Sequence, residues 1–272
     1  MPSKKVGLAL GSGAARGLAH IGVLAVLERE GIPIDIIAGT SAGAIVGALY
    51  AQGKDASQLK KVFLNLARHK LTRFIDLSLP RSGLIKGKRF KDLLASLIGG
   101  DIKFSDLKIP FACVATDIET GEEIVIARGS VPEAVRASIS IPGIFTVVKR
   151  GGRYLVDGGL VNPVPVNLAR RMGADFVIAV NVMPDVTDRA HRVGKEGTKS
   201  SKEPNIIHIL LQSIHIGTYS LVRASFEEAD VVIEPDVAHI GAGEFHRARE
   251  GILLGERAAQ SSIPEIKRKL AA

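Results

Sequence analysis

Tryptophan is absent from this 272-residue chain, and aromatic residues make up only 4% of it. That scarcity argues against a protein that grips nucleic acid by stacking bases on rings, so no nucleic-acid partner is expected. The single cysteine, Cys113, excludes an intrachain disulfide. Its setting in the apolar run IPFACVATDI marks it as a small buried hydrophobe in a chain suited to a reduced, cytoplasmic compartment. No stretch supplies the roughly twenty apolar residues of a membrane span. The apolar run after Lys4 and Lys5 also falls short of the roughly seven to fifteen residues that a signal peptide needs. A soluble protein is therefore expected, one that at most sits on the inner face of a membrane.

What the chain has in quantity is small and aliphatic: 46% of its residues are hydrophobic and 29 are glycine. That is enough to bury a sizeable core. The net charge is +8, with basic clusters in KGKRFK (86–91), KRGGR (149–153) and across 189–202. Such a surface suits anionic headgroups, although most charge of this kind is simply solvated.

Apolar periodicity organises the chain. VGLAL (6–10) reads as a buried strand, GSGAARG (11–17) as a turn, and LAHIGVLAVLEREG (18–31) as a helix closed by Gly31. IPIDIIAG (32–39) is a second strand and SAGAIVGALYAQG (41–53) a second helix. This alternation predicts an α/β fold with a largely parallel sheet covered by helices. Helices follow at 55–70, 89–98 and near 131–138, with hairpins turning at Thr120–Gly121 and Gly151–Gly152. A strand at 175–182, a mobile loop at 184–204, a helix over about 205–227, the strand VVIEP and C-terminal helical segments to 272 complete the chain, and no internal boundary divides 1–272. In 205–217 the pattern of Ile206, Ile209, Leu210, Ile214 and Ile216 suggests a helix that covers the core or lines an acyl channel.

Gly39-Thr40-Ser41-Ala42-Gly43 fits G-x-S-x-G, the sharp strand-to-helix turn that presents a serine hydroxyl beside the positive end of a helix. A serine needs a base. His239 and His246 follow it in the order used by α/β hydrolases, yet Asp157 is better placed, between the apolar strand RYLV and the flexible pair Gly158 and Gly159. GSGAARG is a turn able to aim backbone N–H groups at an oxyanion or at a pyrophosphate. The second option favours a nucleotide-dependent oxidoreductase, with Asp35 as the ribose acid and Tyr50 and Lys54 at Y-x-x-x-K spacing; it leaves the later motifs unused. A third option is a lipid-binding or regulatory module without catalysis.

GSGAARGLAHIGVL, GTSAG, ASISIPGIF and DGGLVNPVP, in that order over residues 6–183, resemble the bacterial patatin-like phospholipases, which include the neuropathy-target-esterase-like proteins. The resemblance implies a three-layer patatin-like fold and a serine hydrolase of phospholipids, lysophospholipids or related lipid esters, with no metal or other cofactor. It implies Ser41 as nucleophile, Asp157 as base, and an oxyanion hole from the N–H groups of Gly13, Ala14 and Ala15, supported by Gly11, Arg16 and Gly17. The usual glycine triplet is here Ser12-Gly13-Ala14, and alanine disfavours positive φ. Ser138, Ser140 and Pro142 of ASISIP are expected to hold backbone near the dyad rather than to react.

Overall fold

The computed structural model describes residues 4–68, 85, 87–185 and 206–272. Among these, eight strands form one mixed, mostly parallel sheet flanked by helices, the architecture of a three-layer α/β/α fold. The strands are β1 (Val6–Leu10), β2 (Ile36–Thr40), β3 (Phe111–Asp117), β4 (Glu123–Ile126), β5 (Val148–Arg150), β6 (Arg153–Asp157), β7 (Phe176–Val180) and β8 (Val231–Ile233). Their order is β5-β6-β3-β2-β1-β7-β8, with β4 also paired to β3. The four pairings β3-β2-β1-β7-β8 are parallel, and the hairpin strands β4, β5 and β6 pair antiparallel.

The central strands are apolar throughout because both faces of the sheet are covered, as parallel sheets require. Leu8, Leu10, Ile37, Cys113, Phe176 and Ile178 point into the core on one face, while Ala9, Ile36, Ala38, Val114, Val177 and Ala179 point into the other. This alternation is the period-two geometry of a pleated strand. The first face is covered by α1 (Ala19–Arg29), α2 (Ala42–Ala51), α3 (Ala56–Arg68), α4 (Lys88–Ile98) and α5 (Val131–Ser138). The second is covered by α6 (Val166–Arg171), with Val222 of α7 (Ile206–Ser225) adding to it. The C-terminal α8 (Ala248–Ala271) lies against α1. Glycines set how close they come: a Cβ at Gly255 would lie 2.0 Å from the Ala19 carbonyl oxygen, and one at Gly22 would lie 1.9 Å from that of Ile252.

Two features differ from the sequence reading. The C-terminal helical segments are one helix from Ala248 that runs through Pro264, because Ile263 and Ile266 on either side are buried and hold the register. Helix α6 was not anticipated: its six residues are too few to show a helical period. The expected mobile loop at 184–204 lies outside the described residues beyond Asp185. No helix among the described residues is long and apolar enough to cross a membrane.

The register of the sheet brings two distant segments together. Cys113 and Val114 of β3 pair with β2 on one edge and β4 on the other, whereas Ala115 and Thr116 pair with β4 and with β6. Strands β2 and β6 therefore share one edge of β3 and approach end to end. Thr40 stands opposite Val114 and Asp157 opposite the next residue, Ala115.

Candidate active site

Ser41 leaves β2 and caps α2 with φ 54° and ψ −116°. Such a backbone costs a non-glycine residue on the order of 1–3 kcal/mol, so its surroundings must impose it. They do so by hydrogen bonds. The Ser41 N–H donates to Ser138 Oγ at 2.9 Å, its carbonyl accepts from Ala44 and Ile45 in the first turn of α2, and Thr40 Oγ1 donates to the Asn162 carbonyl at 2.9 Å. Small residues let the turn close. A Cβ at Gly43 would meet the Leu10 carbonyl oxygen at 2.0 Å, and one at Gly39 would meet the backbone of Ala44 at 2.8 Å.

The Ser41 hydroxyl donates to Asp157 Oδ2 at 2.6 Å, and Asp157 Oδ1 accepts from the Gly159 N–H at 2.8 Å. Asp157 is held from the backbone as well: its N–H donates to the Ser140 carbonyl and its carbonyl accepts from Thr116 Oγ1. ASISIP thus supports both residues, through the Ser138 side chain and the Ser140 main chain. Gly158 packs too closely for any side chain, since a Cβ there would lie 2.2 Å from the Val114 carbonyl oxygen. Burial raises the Asp157 carboxyl from its ordinary value to about 6, against the opposing pull of the Ser41 and Gly159 hydrogen bonds. The group is therefore charged at neutral pH and gains a proton readily just below it.

The loop after β1 runs beside Ser41 as a single 3-10 turn, Ala14–Leu18. Its ends are fastened: the N–H of Gly11 donates to Val180, that of Ser12 to Pro163, and that of Arg16 to Gly13. The Ala15 N–H donates to the Ala242 carbonyl at 3.1 Å, so this expected member of the donor set is already engaged by protein. Ala14 adopts φ 50° in spite of its Cβ. Arg16 is buried with Nε donating to the Ile240 carbonyl at 2.7 Å, and Gly17 lies against Ala42, where a Cβ would come within 2.4 Å of the alanine methyl. His20, which sequence reasoning left without a role, braces this loop. Its Nε2 lies 2.8 Å from the Gly11 carbonyl, which makes Nε2 the protonated nitrogen, and burial lowers the ring to about 4, so it stays neutral.

Two hollows meet at Ser41. One is a cleft of about 80 Å³ bordered by Ser12, Gly13, Arg16, Asp157, His215 and Thr218. The other is an apolar cavity of about 330 Å³ bordered by Ile45, Phe63, Leu94, Leu97, Ile139 and Phe145 among others. Ala14, Ile141, Leu211 and Ala242 border both. Helix α7 closes one side with Leu211, Ile214, His215 and Thr218, a stripe at i, i+3, i+4 and i+7 that was available in the sequence. Of the isoleucines picked out there, Ile214 borders the cleft, whereas Ile206, Ile209 and Ile216 are exposed on the outer face.

The alternative site residues are occupied elsewhere. His239 pairs with Glu250, and neither it nor His246 borders either hollow. His215 borders the cleft with Nε2 at 2.9 Å from the Pro184 carbonyl. His69 and His191 lie outside the described residues. Asp35, the supposed ribose acid, accepts the Val6 N–H at 2.7 Å and so ties the start of β1 to the residue before β2. Among the described residues no group of three or more His, Cys, Asp or Glu side chains is placed to hold a metal ion.

The chain is similar to several known proteins. An uncharacterized NTE family protein of Mycobacterium tuberculosis is 37% identical over 180 residues, which cover 66% of this chain and 49% of that protein. Patatin-like phospholipase domain-containing protein 6 of Mus musculus is 38% identical over 189 residues, covering 67% of this chain and 14% of that protein. The chain thus spans about half the length, or less, of the curated relatives it matches. Among solved structures, ExoU of Pseudomonas aeruginosa in its complex with SpcU aligns with a TM-score of 0.49 at 15% identity, covering all of this chain and 53% of that one. The family model for patatin-like phospholipases matches residues 8–170, a span that runs from within β1 through the serine turn and the strand-end aspartate into α6: this chain belongs to the patatin-like phospholipase family.

Proposed function

We propose that the chain is a serine hydrolase of lipid acyl esters that works through a Ser41–Asp157 dyad. The observation that carries this reading is the 2.6 Å hydrogen bond from the Ser41 hydroxyl to a buried carboxylate, made at a strained turn that opens a helix. Asp157 takes the hydroxyl proton as Ser41 Oγ attacks the ester carbonyl carbon. The carbonyl oxygen becomes an oxyanion and is met by the N–H groups of Gly13 and Ala14, which, unlike that of Ala15, carry no backbone hydrogen bond among the described residues. The tetrahedral adduct collapses, the C–O bond to the alcohol breaks, and Asp157 returns the proton to the leaving oxygen. Water then enters, loses a proton to Asp157 and attacks the acyl-serine; the C–O bond to Ser41 breaks, Asp157 returns that proton to Ser41 Oγ, and the carboxylic acid is freed.

The apolar cavity beside Ser41 supports a fatty acyl substrate, because its wall offers a chain dispersion contacts and nothing to a charged group. The exposed isoleucines on the outer face of α7 and the net positive charge support peripheral contact with an anionic lipid surface. The test is labelling with a fluorophosphonate probe together with turnover of p-nitrophenyl esters, in the native chain and in Ser41→Ala. Labelling and turnover confined to the native chain are expected. Absence of labelling, with equal turnover in both proteins, would sink the hydrolase reading and leave a lipid-binding module in its place.

A further inference from the structure

We propose that the apolar cavity is a length gauge: it holds one acyl chain of about a dozen carbons, and α3 and α4 set the limit. The inference rests on the hydrolase reading for its orientation, and on volume and wall chemistry for its content. Among the described residues, every side chain bordering the cavity is apolar except that of Ser41. A bound ester must place its carbonyl at that serine, so the hydrocarbon is the part left to fill the cavity. Phe63 and Leu66 of α3 and Leu93, Leu94 and Leu97 of α4 contribute to its wall.

Size decides the number of carbons. An apolar cavity of about 150 Å³ stays dry and takes a benzene ring. At about 330 Å³ this cavity is roughly twice that, which corresponds to two rings' worth of carbon, about twelve atoms. One medium-length chain fits and a second does not. The neighbouring cleft of about 80 Å³ is too small for another chain, so any second acyl group of a diacyl lipid would stay outside.

Each methylene that enters should raise kcat/KM about fourfold, since its burial contributes ~0.8 kcal/mol. The gain should end when the cavity is full. The experiment is a p-nitrophenyl ester series from butanoate to hexadecanoate, each kept below its micelle concentration, with the native chain, Leu97→Trp and Phe63→Ala. A rise to an optimum near twelve carbons, followed by a fall, is expected. Leu97→Trp should move the optimum down by several carbons, and Phe63→Ala should move it up. If the variants do not fold, the native series still decides, because a profile that is flat or still rising at sixteen carbons overturns the proposal.

A parallel titration calorimetry series with octanoate, dodecanoate and hexadecanoate on Ser41→Ala keeps the two readings apart. Tightest binding of dodecanoate to Ser41→Ala, together with no ester turnover by the native chain, would support the gauge and reject the hydrolase. Turnover without a length optimum would reject the gauge alone.

Discussion

Replacing Asp157 by asparagine should make the protein more stable at neutral pH while removing its turnover. The buried carboxyl sits at about 6, against 3.8 when unperturbed. A carboxyl raised in the folded state contributes stability below its unfolded value and loses it as pH rises through the folded one. From well below pH 3.8 to above pH 6 that loss totals about 3 kcal/mol, at ~1.4 kcal/mol for each unit of difference. Asparagine is nearly isosteric: its oxygen can accept the Gly159 N–H and its amide can face Ser41, and it carries no charge to desolvate.

His20 must be considered in the same window. Its ring is lowered from 6.5 to about 4 by burial, so the unfolded chain binds this proton first, and stability falls as pH drops from 6.5 toward 4, again by about 3 kcal/mol. In the native protein the two groups oppose each other over this range and nearly cancel. In Asp157→Asn only the histidine remains, so acid lability is unmasked. Urea unfolding of both proteins at pH 4.5, 6 and 8 isolates the aspartate, because every other group is common to the pair. The stability of Asp157→Asn relative to native should increase by about 2 kcal/mol from the lowest pH to the highest, an increase in melting temperature on the order of 4–8 °C for a chain of this size. Native kcat/KM should decline about tenfold per unit below pH 6, as the base is protonated. A stability difference that does not vary with pH would refute both the burial argument and the assignment of Asp157 as the group that titrates near 6.

Ser138→Ala removes the acceptor of the buried Ser41 N–H, which should cost about 1–3 kcal/mol in chemical denaturation and lower kcat more than it alters KM. An unchanged denaturation midpoint would show that the turn does not depend on this bond. Gly255→Ala puts a methyl 2.0 Å from the Ala19 carbonyl oxygen, where backbone cannot yield cheaply; a loss of about 3 kcal/mol or more is expected in thermal unfolding. A loss near zero would mean that α1 and α8 separate freely.

Local chemistry determined much from sequence alone. Apolar runs of five residues between glycine turns located β1 and β2, because a strand buried on both faces must be apolar throughout. GTSAG located the serine turn, since few residues other than glycine tolerate the contacts that flank Ser41. DGG located Asp157 at a strand end. Tertiary structure decided what these segments do to each other. Asp157 became the partner of Ser41 only because β2 and β6 share one edge of β3, a consequence of pairing registers that join residues 116 positions apart. The same holds for the carboxyl near 6, which follows from burial by neighbours rather than from its own segment. The engagement of the Ala15 N–H by Ala242, the bracing of Gly11 by His20 and the choice of α7 face also depend on long-range contacts. Residue spacing reports which way a side chain points along its own helix or strand; only closure of the chain determines what stands opposite it.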